Sequence, residues 1–199
     1  MKTRLAKDLG DGEAAKIYGE LAAKNLESLL TLRESGISIA ILYDPPEAGE
    51  KVRAWLVHDF VYLPQRGQDL GERLRNAFEG AFREGAERVL AMGSDTLGLG
   101  PKIVEEAYKR LRDSELVLGP ARDGGYYLMG LSHPQPRLFH GIPWSTRQVL
   151  ESTLSRARKL GLSTYLLPEL EDLDGIENME EFKRWFQENK TDATSKMAR

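Results

Sequence analysis

The sequence contains no cysteine among its 199 residues. This absence excludes disulfide bonds, thiol nucleophiles and cysteine-ligated metal sites. It also fits a reducing compartment, so we expect a cytoplasmic location. No apolar run approaches the ~20 residues that a membrane-spanning helix requires, and the first residues lack a signal-peptide pattern. We therefore expect a protein without a membrane span.

A strong charge of either sign is also missing. The formal net charge is -3, which offers neither a basic surface for nucleic acid nor an attraction to anionic membranes. Hydrophobic residues make up 41% of the chain and charged residues 30%, as is typical of globular proteins. A chain of this length forms one domain around a single core. We expect that domain to span residues 1–189, followed by a polar tail at 190–199.

Short apolar runs alternate with helical patterns along the chain. The runs predict six strands, at Ile37–Tyr43, Phe60–Leu63, Arg88–Met92, Leu116–Leu118, Tyr126–Leu131 and Thr164–Leu167. Several of them are continuously apolar, which indicates strands covered on both faces. The sequence therefore predicts an α/β fold with three α/β/α layers and a mostly parallel, mixed sheet.

Helical periodicity predicts the elements between these strands. The expected helices are Asp11–Glu34, a weak one within Ala48–His58, the second half of Gln65–Phe82, Pro101–Leu111, Arg147–Leu160 and Met179–Glu188. Gly36 is a plausible stop for the first helix. Asp69 is a candidate cap for the helix that follows it, whereas Gln65 and Arg73 could reach a ligand.

The stretch Ser114–Leu131 is the centre of the functional argument. It contains two apolar runs joined by Asp123, Gly124 and Gly125. A glycine turn with an acid at its edge suits a site where backbone approaches a ligand. The alternative is a plain hairpin, in which these residues only make the turn.

A second carboxylate, Asp95, follows the strand Arg88–Met92 directly. Ligands of open α/β sheets bind beyond the carboxyl ends of the strands. One or two carboxylates together with substrate phosphates suit Mg²⁺ or Mn²⁺. Asp95 could instead cap a helix, but Pro101 favours a cap at Gly100.

Several other polar and aromatic residues have two possible roles. Lys2 and Arg4 suit a phosphate clamp or a solvated basic loop over Met1–Gly10. Trp144 could belong to the core or line an acceptor pocket together with Tyr126. The remaining candidates read as surface residues: His133, His140 and the acid run Glu169–Asp174, interpreted as a solvated loop.

Six segments occur in an order that resembles a known family. They are KTRLA (2–6), QDLGERL (68–74), GSDTLGL (93–99), GPARDGGYYLMGL (119–131), GIPWST (141–146) and DLDGIENMEEF (172–182). Together they resemble the small bacterial glycosyltransferase-like family with the GT-A, or nucleotide-diphospho-sugar transferase, fold. That family is related to the molybdenum-cofactor and phospholactate guanylyltransferases. The resemblance covers residues 2 to about 186, and segment 119–131 is its most specific part.

The resemblance implies roles for individual residues. Lys2 and Arg4 would contact the nucleotide phosphates. Asp95 stands where the metal-binding acid of the fold lies, and Asp123 stands near the second acid. We expect the backbone of four neighbouring residues to approach the nucleotide or its phosphates: Gly93, Ser94, Gly124 and Gly125.

The sequence departs from the family pattern in two places. Thr96-Leu97 stands where family members usually have Cys-Pro or a similar pair. Family members also begin with a central strand and a Pro-Gly loop ahead of Lys-Thr-Arg-Leu, and this sequence starts after them. We expect a gap between Ile37–Tyr43 and Arg88–Met92. The two sheet halves could close up, the N-terminal segment could shift in, or a second copy could pair there; we favour a rearranged N-terminus or a homodimer.

The resemblance implies a transferase that uses Mg²⁺ or Mn²⁺ and a nucleotide-activated donor. The favoured activity is glycosyl transfer from a nucleotide sugar to a small-molecule acceptor. One alternative is a nucleotidyltransferase that takes a nucleoside triphosphate and a small phosphorylated acceptor. The other alternative is a binding module that keeps the fold without turnover. Neither nucleic acid nor a membrane is an expected partner.

Overall fold

The computed structural model describes residues 3–56, 58–173 and 175–196, except for the side chains of residues 3, 4, 176 and 188–196. Within these ranges, no helix is long and apolar enough to cross a membrane. Lys2, a candidate phosphate ligand, lies outside the described residues, as does Asp174 of the acid run.

The helices and strands alternate along most of the chain. The helices are α1 (Thr3–Leu9), α2 (Asp11–Leu29), α3 (Gly49–Leu56), α4 (Leu70–Arg83), α5 (Pro101–Arg110), α6 (Val149–Leu160) and α7 (Met179–Lys196). The strands are β1 (Ala40–Tyr43), β2 (Val61–Pro64), β3 (Val89–Met92), β4 (Thr96–Leu97), β5 (Leu116–Pro120), β6 (Tyr126–Leu131), β7 (Thr164–Leu166) and β8 (Glu171–Asp172). All six expected strands are present, which confirms the α/β class.

The main sheet has four strands in the order β3-β6-β5-β7. β6 runs antiparallel to both of its neighbours, and β5 and β7 are parallel. β3, β5 and β7 therefore all point the same way, so that their carboxyl ends lie at one edge of the sheet. β5 and β6 form the expected hairpin, with Leu116 opposite Leu131 and Pro120 opposite Tyr126.

Helices cover both faces of this sheet. Leu116 and Leu118 pack into a cluster with Phe78 of α4 and Ala157 of α6. Val117, which points to the opposite face, packs with a second group of buried residues from α2, the segment after it and α5: Leu29, Leu32, Val104 and Ala107. The alternation along β5 therefore produces the three layers that the sequence predicted.

The six strands do not form one continuous sheet. β1 pairs only with β2, in a separate parallel sheet of two strands. β4 and β8 form a further antiparallel pair, which the sequence analysis did not anticipate. The acid run 169–174 is therefore more than a solvated loop, because its residues Glu171 and Asp172 belong to a strand.

The observed helix ends agree with the predictions from the sequence at three points and differ from them at three. Asp69 Oδ1 accepts a hydrogen bond from the Glu72 N–H at 2.8 Å, which confirms the cap of α4. Gly100 caps α5 as expected, and Gly36 ends the first long helical segment with φ 76°. The differences are a 3₁₀ turn over Leu30–Ser35, an α7 that continues to Lys196, and α1 in place of the basic loop.

Helix α1 is stabilised because its apolar residues pack into a buried hydrophobic cluster. Leu5 is fully buried with Leu97 of β4 and Leu173, which follows β8. Ala6 and Leu9 pack against the same cluster. Helix α1 has only 7 residues. Propensity alone could not predict it, because isolated helices of this length are only marginally stable in water.

Gly124 provides a stability test of the hairpin turn. Its φ is +91°, and a Cβ there would lie 2.1 Å from the Arg147 carbonyl oxygen. We expect Gly124→Ala to lower the free energy of unfolding by about 2–4 kcal/mol in a denaturant titration, since strained backbone and overpacking add. Gly125→Ala is the control, because its Cβ meets only the Asp123 carboxylate, at 3.1 Å. Equal effects of the two substitutions would contradict this account.

Candidate active site

The loop after β3 is held from two sides. The side-chain amide of Asn25 in α2 donates hydrogen bonds to the carbonyl oxygens of Ser94 and Thr96, at 3.3 and 3.0 Å. The Asp95 carbonyl accepts a hydrogen bond from the Leu173 N–H at 3.0 Å. The half-buried Asp95 is therefore held at a defined position at the carboxyl end of β3.

The acid run 169–174 follows β7 and reaches the same end of the sheet. Leu170 forms an isolated parallel bridge with Ala121, beyond the end of the β5–β7 pairing at Leu118 and Leu166. Beyond it, Asp172 pairs with Thr96, and its Oδ1 accepts a hydrogen bond from Thr96 Oγ1 at 2.8 Å. Asp172 therefore lies opposite Thr96, the residue that follows Asp95.

Arg122 joins the acid run to the hairpin turn. Its Nη1 lies 2.7 Å from Glu171 Oε2, and its Nε lies 3.7 Å from Glu169 Oε1. These contacts are solvent-exposed, so each stabilises the fold by only about 0–1 kcal/mol. Their role is positional, because Asp123 is the next residue along the turn.

The hairpin turn fixes Asp123 by a local hydrogen bond. Its Oδ1 accepts from the Gly125 N–H at 2.8 Å, the pattern of an Asx turn. The Gly124 carbonyl accepts from the Leu150 N–H at 3.0 Å, which anchors the turn to the first residues of α6. The plain-hairpin role of these residues is therefore present, and it leaves the second Asp123 oxygen for a ligand.

A cavity of about 310 Å³ lies beside the turn. It is lined by two of the acids, Asp123 and Asp172, by Gly125, by the aromatic rings of Tyr126 and Trp144, and by the segment 145–147. Such a volume is at the lower end for small-molecule sites. The cavity can hold a group of about the size of one sugar ring.

Trp144 is both a core residue and a wall of the cavity. Its ring stacks with Phe139, with centroids 6.4 Å apart and planes 22° apart. The indole lies directly over Gly71 of α4, where a Cβ would be 2.0 Å from the indole nitrogen. The core role of Trp144 is therefore confirmed, and its role in an acceptor pocket stays a prediction.

Tyr126 contributes its ring to the cavity, while its hydroxyl points inward beside Thr153 of α6. Burial is the main cause that raises the pKa of this phenol above its usual value, and the neighbouring Thr153 hydroxyl lowers it slightly. The phenol therefore stays protonated at neutral pH. Tyr126 can shape the site but cannot act there as a base.

The sequence-predicted residues fall into two groups. Asp123, Gly125, Tyr126 and Trp144 line one cavity. Asp95 lies outside the residues that line it and is connected to it through Asp172. Gly93 and Ser94 are in the loop beside Asp95, and Gly124 is in the turn beside Asp123.

The two basic candidates are less well defined. Arg4 is in the first turn of α1, directly before the buried Leu5, so its backbone lies near the β4–β8 pair. Its side chain, like Lys2, lies outside the described residues.

Gln65 and Arg73, which could reach a ligand according to the sequence, interact with other protein groups. Arg73 Nη1 lies 3.1 Å from Asp44 Oδ2 and 3.4 Å from Gln65 Oε1.

Asp172 is the site residue that the sequence analysis missed. The usable signal was the acid run 169–174, combined with a basic residue, Arg122, directly before Asp123. Sequence alone gave no reason to prefer pairing of the run over solvation. The pairing depends on two residue pairs, Thr96 with Asp172 and Leu97 with Glu171, that are 76 and 74 positions apart.

Among the described residues, no group of three His, Asp or Glu side chains could hold a metal ion. Asp123 and Asp172 line the same cavity, and Asp95 precedes Thr96, which pairs with Asp172. Mg²⁺ can use one or two protein carboxylates when substrate phosphates and water fill its other positions. A cation here would therefore be held by one or two of these carboxylates together with a phosphorylated ligand.

Gly71→Ala tests the packing that forms the cavity wall. The added methyl group would displace the Trp144 indole, and we expect a loss of about 1–3 kcal/mol in the free energy of unfolding, measured with denaturant. Gly80→Ala in the same helix is the matched control, because nothing lies within 4 Å of its Cβ. The control should be neutral or slightly stabilising. An equally stable Gly71→Ala protein would show that Trp144 is not packed as described.

Comparisons with known proteins give a family and a fold. The pattern of the family described as "Uncharacterized protein conserved in bacteria (DUF2064)" matches residues 29–146. Among solved structures, an inferred nucleotide-diphospho-sugar transferase from Desulfovibrio desulfuricans G20 is similar at TM-score 0.83 and 31% identity, over 96% of this chain and 89% of that chain. A comparison with curated proteins gives no match.

Two more distant structures share the fold alone. One is CMP:2-keto-3-deoxy-manno-octonic acid synthetase complexed with CTP, at TM-score 0.56 and 12% identity over 86% of this chain and 88% of that chain. The other is HddC from Yersinia pseudotuberculosis, at TM-score 0.51 and 11% identity over 82% of each chain. The chain has a GT-A-like fold and belongs to the DUF2064 family of bacterial proteins.

Proposed function

We propose that the protein is a metal-dependent transferase that takes its transferred group from a nucleotide-activated donor, and that the group is a sugar. The observation that carries this proposal is the cavity that Asp123 and Asp172 line together with two aromatic residues, Tyr126 and Trp144. Asp95 lies in the loop after β3, next to Thr96, which pairs with Asp172. The similar D. desulfuricans structure, described as an inferred nucleotide-diphospho-sugar transferase, supports the choice of donor.

The proposed division of the site follows from its dimensions. The cavity of about 310 Å³ accepts the sugar or a small acceptor, because aromatic rings such as Trp144 suit the apolar face of a sugar ring. The diphosphate then lies nearer to Asp95, outside the cavity. Arg4, at the start of α1, and Lys2 before it would supply positive charge to the phosphates.

A hydroxyl oxygen of the acceptor forms a bond to the sugar carbon while the bond from that carbon to the diphosphate oxygen breaks. The diphosphate leaves with the electron pair, and the acceptor's proton passes to solvent. Mg²⁺ or Mn²⁺ would be held by Asp95 and Asp123 and would neutralise the charge that builds up on the leaving group. Arg4 and Lys2 would stabilise the same charge, and loss of one such contact typically costs 10²–10³ in rate. Asp172, which keeps its bond to Thr96, would hold the Asp95 loop in place.

Carboxylate substitutions test the metal part of the proposal. We expect Asp95→Asn and Asp123→Asn to weaken Mn²⁺-dependent binding of nucleoside diphosphates by at least about tenfold in calorimetric titrations, since each removes one charged ligand oxygen. Asp59→Asn is the matched control, because Asp59 is exposed at the start of β2 and far along the chain from the site. Unchanged binding in both site variants would remove these acids from the metal site.

A donor panel tests the reaction class. Sugar nucleotides and nucleoside triphosphates are each incubated with Mn²⁺ and a mixture of sugars and sugar phosphates. We expect a nucleoside diphosphate to be released from a sugar nucleotide, because the sugar carbon is the proposed point of attack. The nucleotides are identified by mass spectrometry, and Asp95→Asn serves as the inactive control.

Other products would decide against glycosyl transfer. The distant fold neighbour complexed with CTP makes nucleotidyl transfer the second candidate. Pyrophosphate released from a nucleoside triphosphate would establish that reaction, since attack then occurs at the α-phosphate. Mn²⁺-dependent nucleotide binding with neither product would indicate the non-catalytic binding module instead.

A further inference from the structure

The turn at residues 144–147, called the donor turn below, places three hydrogen-bond donors among the residues that line the cavity of about 310 Å³. They are the Trp144 indole N–H, the Ser145 hydroxyl and the Arg147 guanidinium. Within the described part of the chain, none of the three has a hydrogen-bond or ion-pair partner. An indole and a guanidinium can only donate. The donor turn therefore needs acceptor atoms that come from a ligand or from water.

The two hydroxyl groups of the donor turn differ in how the fold uses them. Thr146 Oγ1 donates to the Pro143 carbonyl at 2.7 Å and accepts from the Gln148 N–H at 3.2 Å, so it closes the turn. Ser145 has φ 63°, a left-handed conformation that residues other than glycine adopt uncommonly. Strained backbone of this kind occurs often at ligand sites. In the donor turn, the strained residue is the one whose hydroxyl the fold leaves unused.

The carboxylates of the cavity belong to other segments, Asp123 to the hairpin turn and Asp172 to β8. The hairpin turn is fixed against the donor turn by two contacts. The Gly124 carbonyl accepts from the Leu150 N–H at 3.0 Å, and Gly124 lies against the Arg147 backbone, where a Cβ would be 2.1 Å from the carbonyl oxygen. The cavity therefore takes its acids and its donors from different segments that are held together.

The charges around the cavity limit the charge of the ligand. Among the described residues that line it, Arg147 is the one cation, and it stands beside two carboxylates. One guanidinium pairs with one carboxylate through two parallel hydrogen bonds. A phosphate monoester carries about −1.5 to −2 charges at neutral pH, and the two acids would repel the excess. The charge balance therefore favours a ligand with a single negative charge.

We propose that the donor turn is a carboxylate subsite and that the cavity takes a small sugar acid as the acceptor. The carboxylate of the acid pairs with Arg147 and accepts hydrogen bonds from the Ser145 hydroxyl and the Trp144 N–H. The ring of the acid packs against Tyr126, whose hydroxyl is buried, so that only its aromatic ring faces the cavity. Binding of the acid depends on the cavity alone, whereas its role as acceptor rests on the proposed function.

A neutral sugar fits the donor turn less well than a sugar acid. The hydroxyl groups of a neutral sugar can accept from Ser145 and Trp144, but they leave the charge of Arg147 unbalanced. Hydrogen bonds between two charged groups are roughly twice as strong as those between neutral groups. The subsite therefore discriminates by the presence of a carboxylate on a ring of the same size.

Equilibrium binding tests the subsite without a donor nucleotide and without turnover, so its failure is separate from failure of the proposed function. The probes are glucose, galactose and mannose, each as the neutral hexose, the hexuronate and the hexose 6-phosphate, which differ only at the sixth carbon. Affinities are measured by calorimetric titration in EDTA, so that a bound metal ion cannot hold the carboxylate. We expect at least one hexuronate to bind at least about tenfold more tightly than its hexose.

Arg147→Gln should lower the affinity for that hexuronate to the level of the hexose and leave the affinity for the hexose unchanged. Arg158→Gln is the matched control, because Arg158 is exposed in the last turn of α6 and should leave both affinities unchanged. Equal binding of hexuronate and hexose by the wild type, or a preference that survives Arg147→Gln, would overturn the subsite. Tighter binding of the 6-phosphate than of the hexuronate would overturn the choice of a carboxylate.

Two substitutions of Ser145 separate binding from stability. Ser145→Gly should raise the melting temperature, because glycine adopts φ 63° without strain, and should weaken hexuronate binding by at least about threefold, because the hydroxyl is lost. Ser145→Ala should weaken binding equally without the gain in melting temperature, since it keeps the Cβ. Hexuronate binding as tight as that of the wild type in both variants would remove Ser145 from the subsite.

Discussion

The fold depends on β6, which is hydrogen bonded along both of its edges. β3 pairs with one edge and β5 with the other, and five of the six residues of β6 are buried. Because β6 is antiparallel to both neighbours, it aligns their directions. Two helical layers then pack against its two faces. The position of every strand-end loop follows from this arrangement.

The candidate site depends on that alignment. The carboxyl ends of β3, β5 and β7 lie at one edge, and Asp95, Asp123 and the acid run 169–174 lie in the segments that follow these strands. Arg122 contacts Glu171 and Thr96 bonds to Asp172, so the acid run is held against the other two loops. Acidic residues from segments far apart in the sequence therefore reach the same edge of the sheet.

Much of the fold was predictable because short sequence segments determine many of its helices, strands and turns. The six apolar runs became strands, and the caps at Asp69 and Gly100 formed from side-chain and proline preferences that act within one helical turn. The β5–β6 hairpin was equally local. These elements needed no information about the rest of the chain.

The errors arose where distant contacts decided the outcome. Helix α1 exists because Leu5 covers Leu97 and Leu173, and β8 exists because Thr96 binds Asp172. Neither contact has a local signature. The same limit applied to the candidate site: Asp95 and Asp123 were proposed from their strand-end positions, whereas Asp172, which lines the cavity with Asp123, was not.

The β4–β8 pair has a consequence for how folding can be followed. Its two residue pairs join positions that are 76 and 74 apart, and the intervening segment contains the β5–β6 hairpin and α6. Contacts of such high sequence separation generally form late. The environment around Asp172 is therefore a reporter of completed folding, and a probe placed there would distinguish the native protein from compact states that retain only the central sheet.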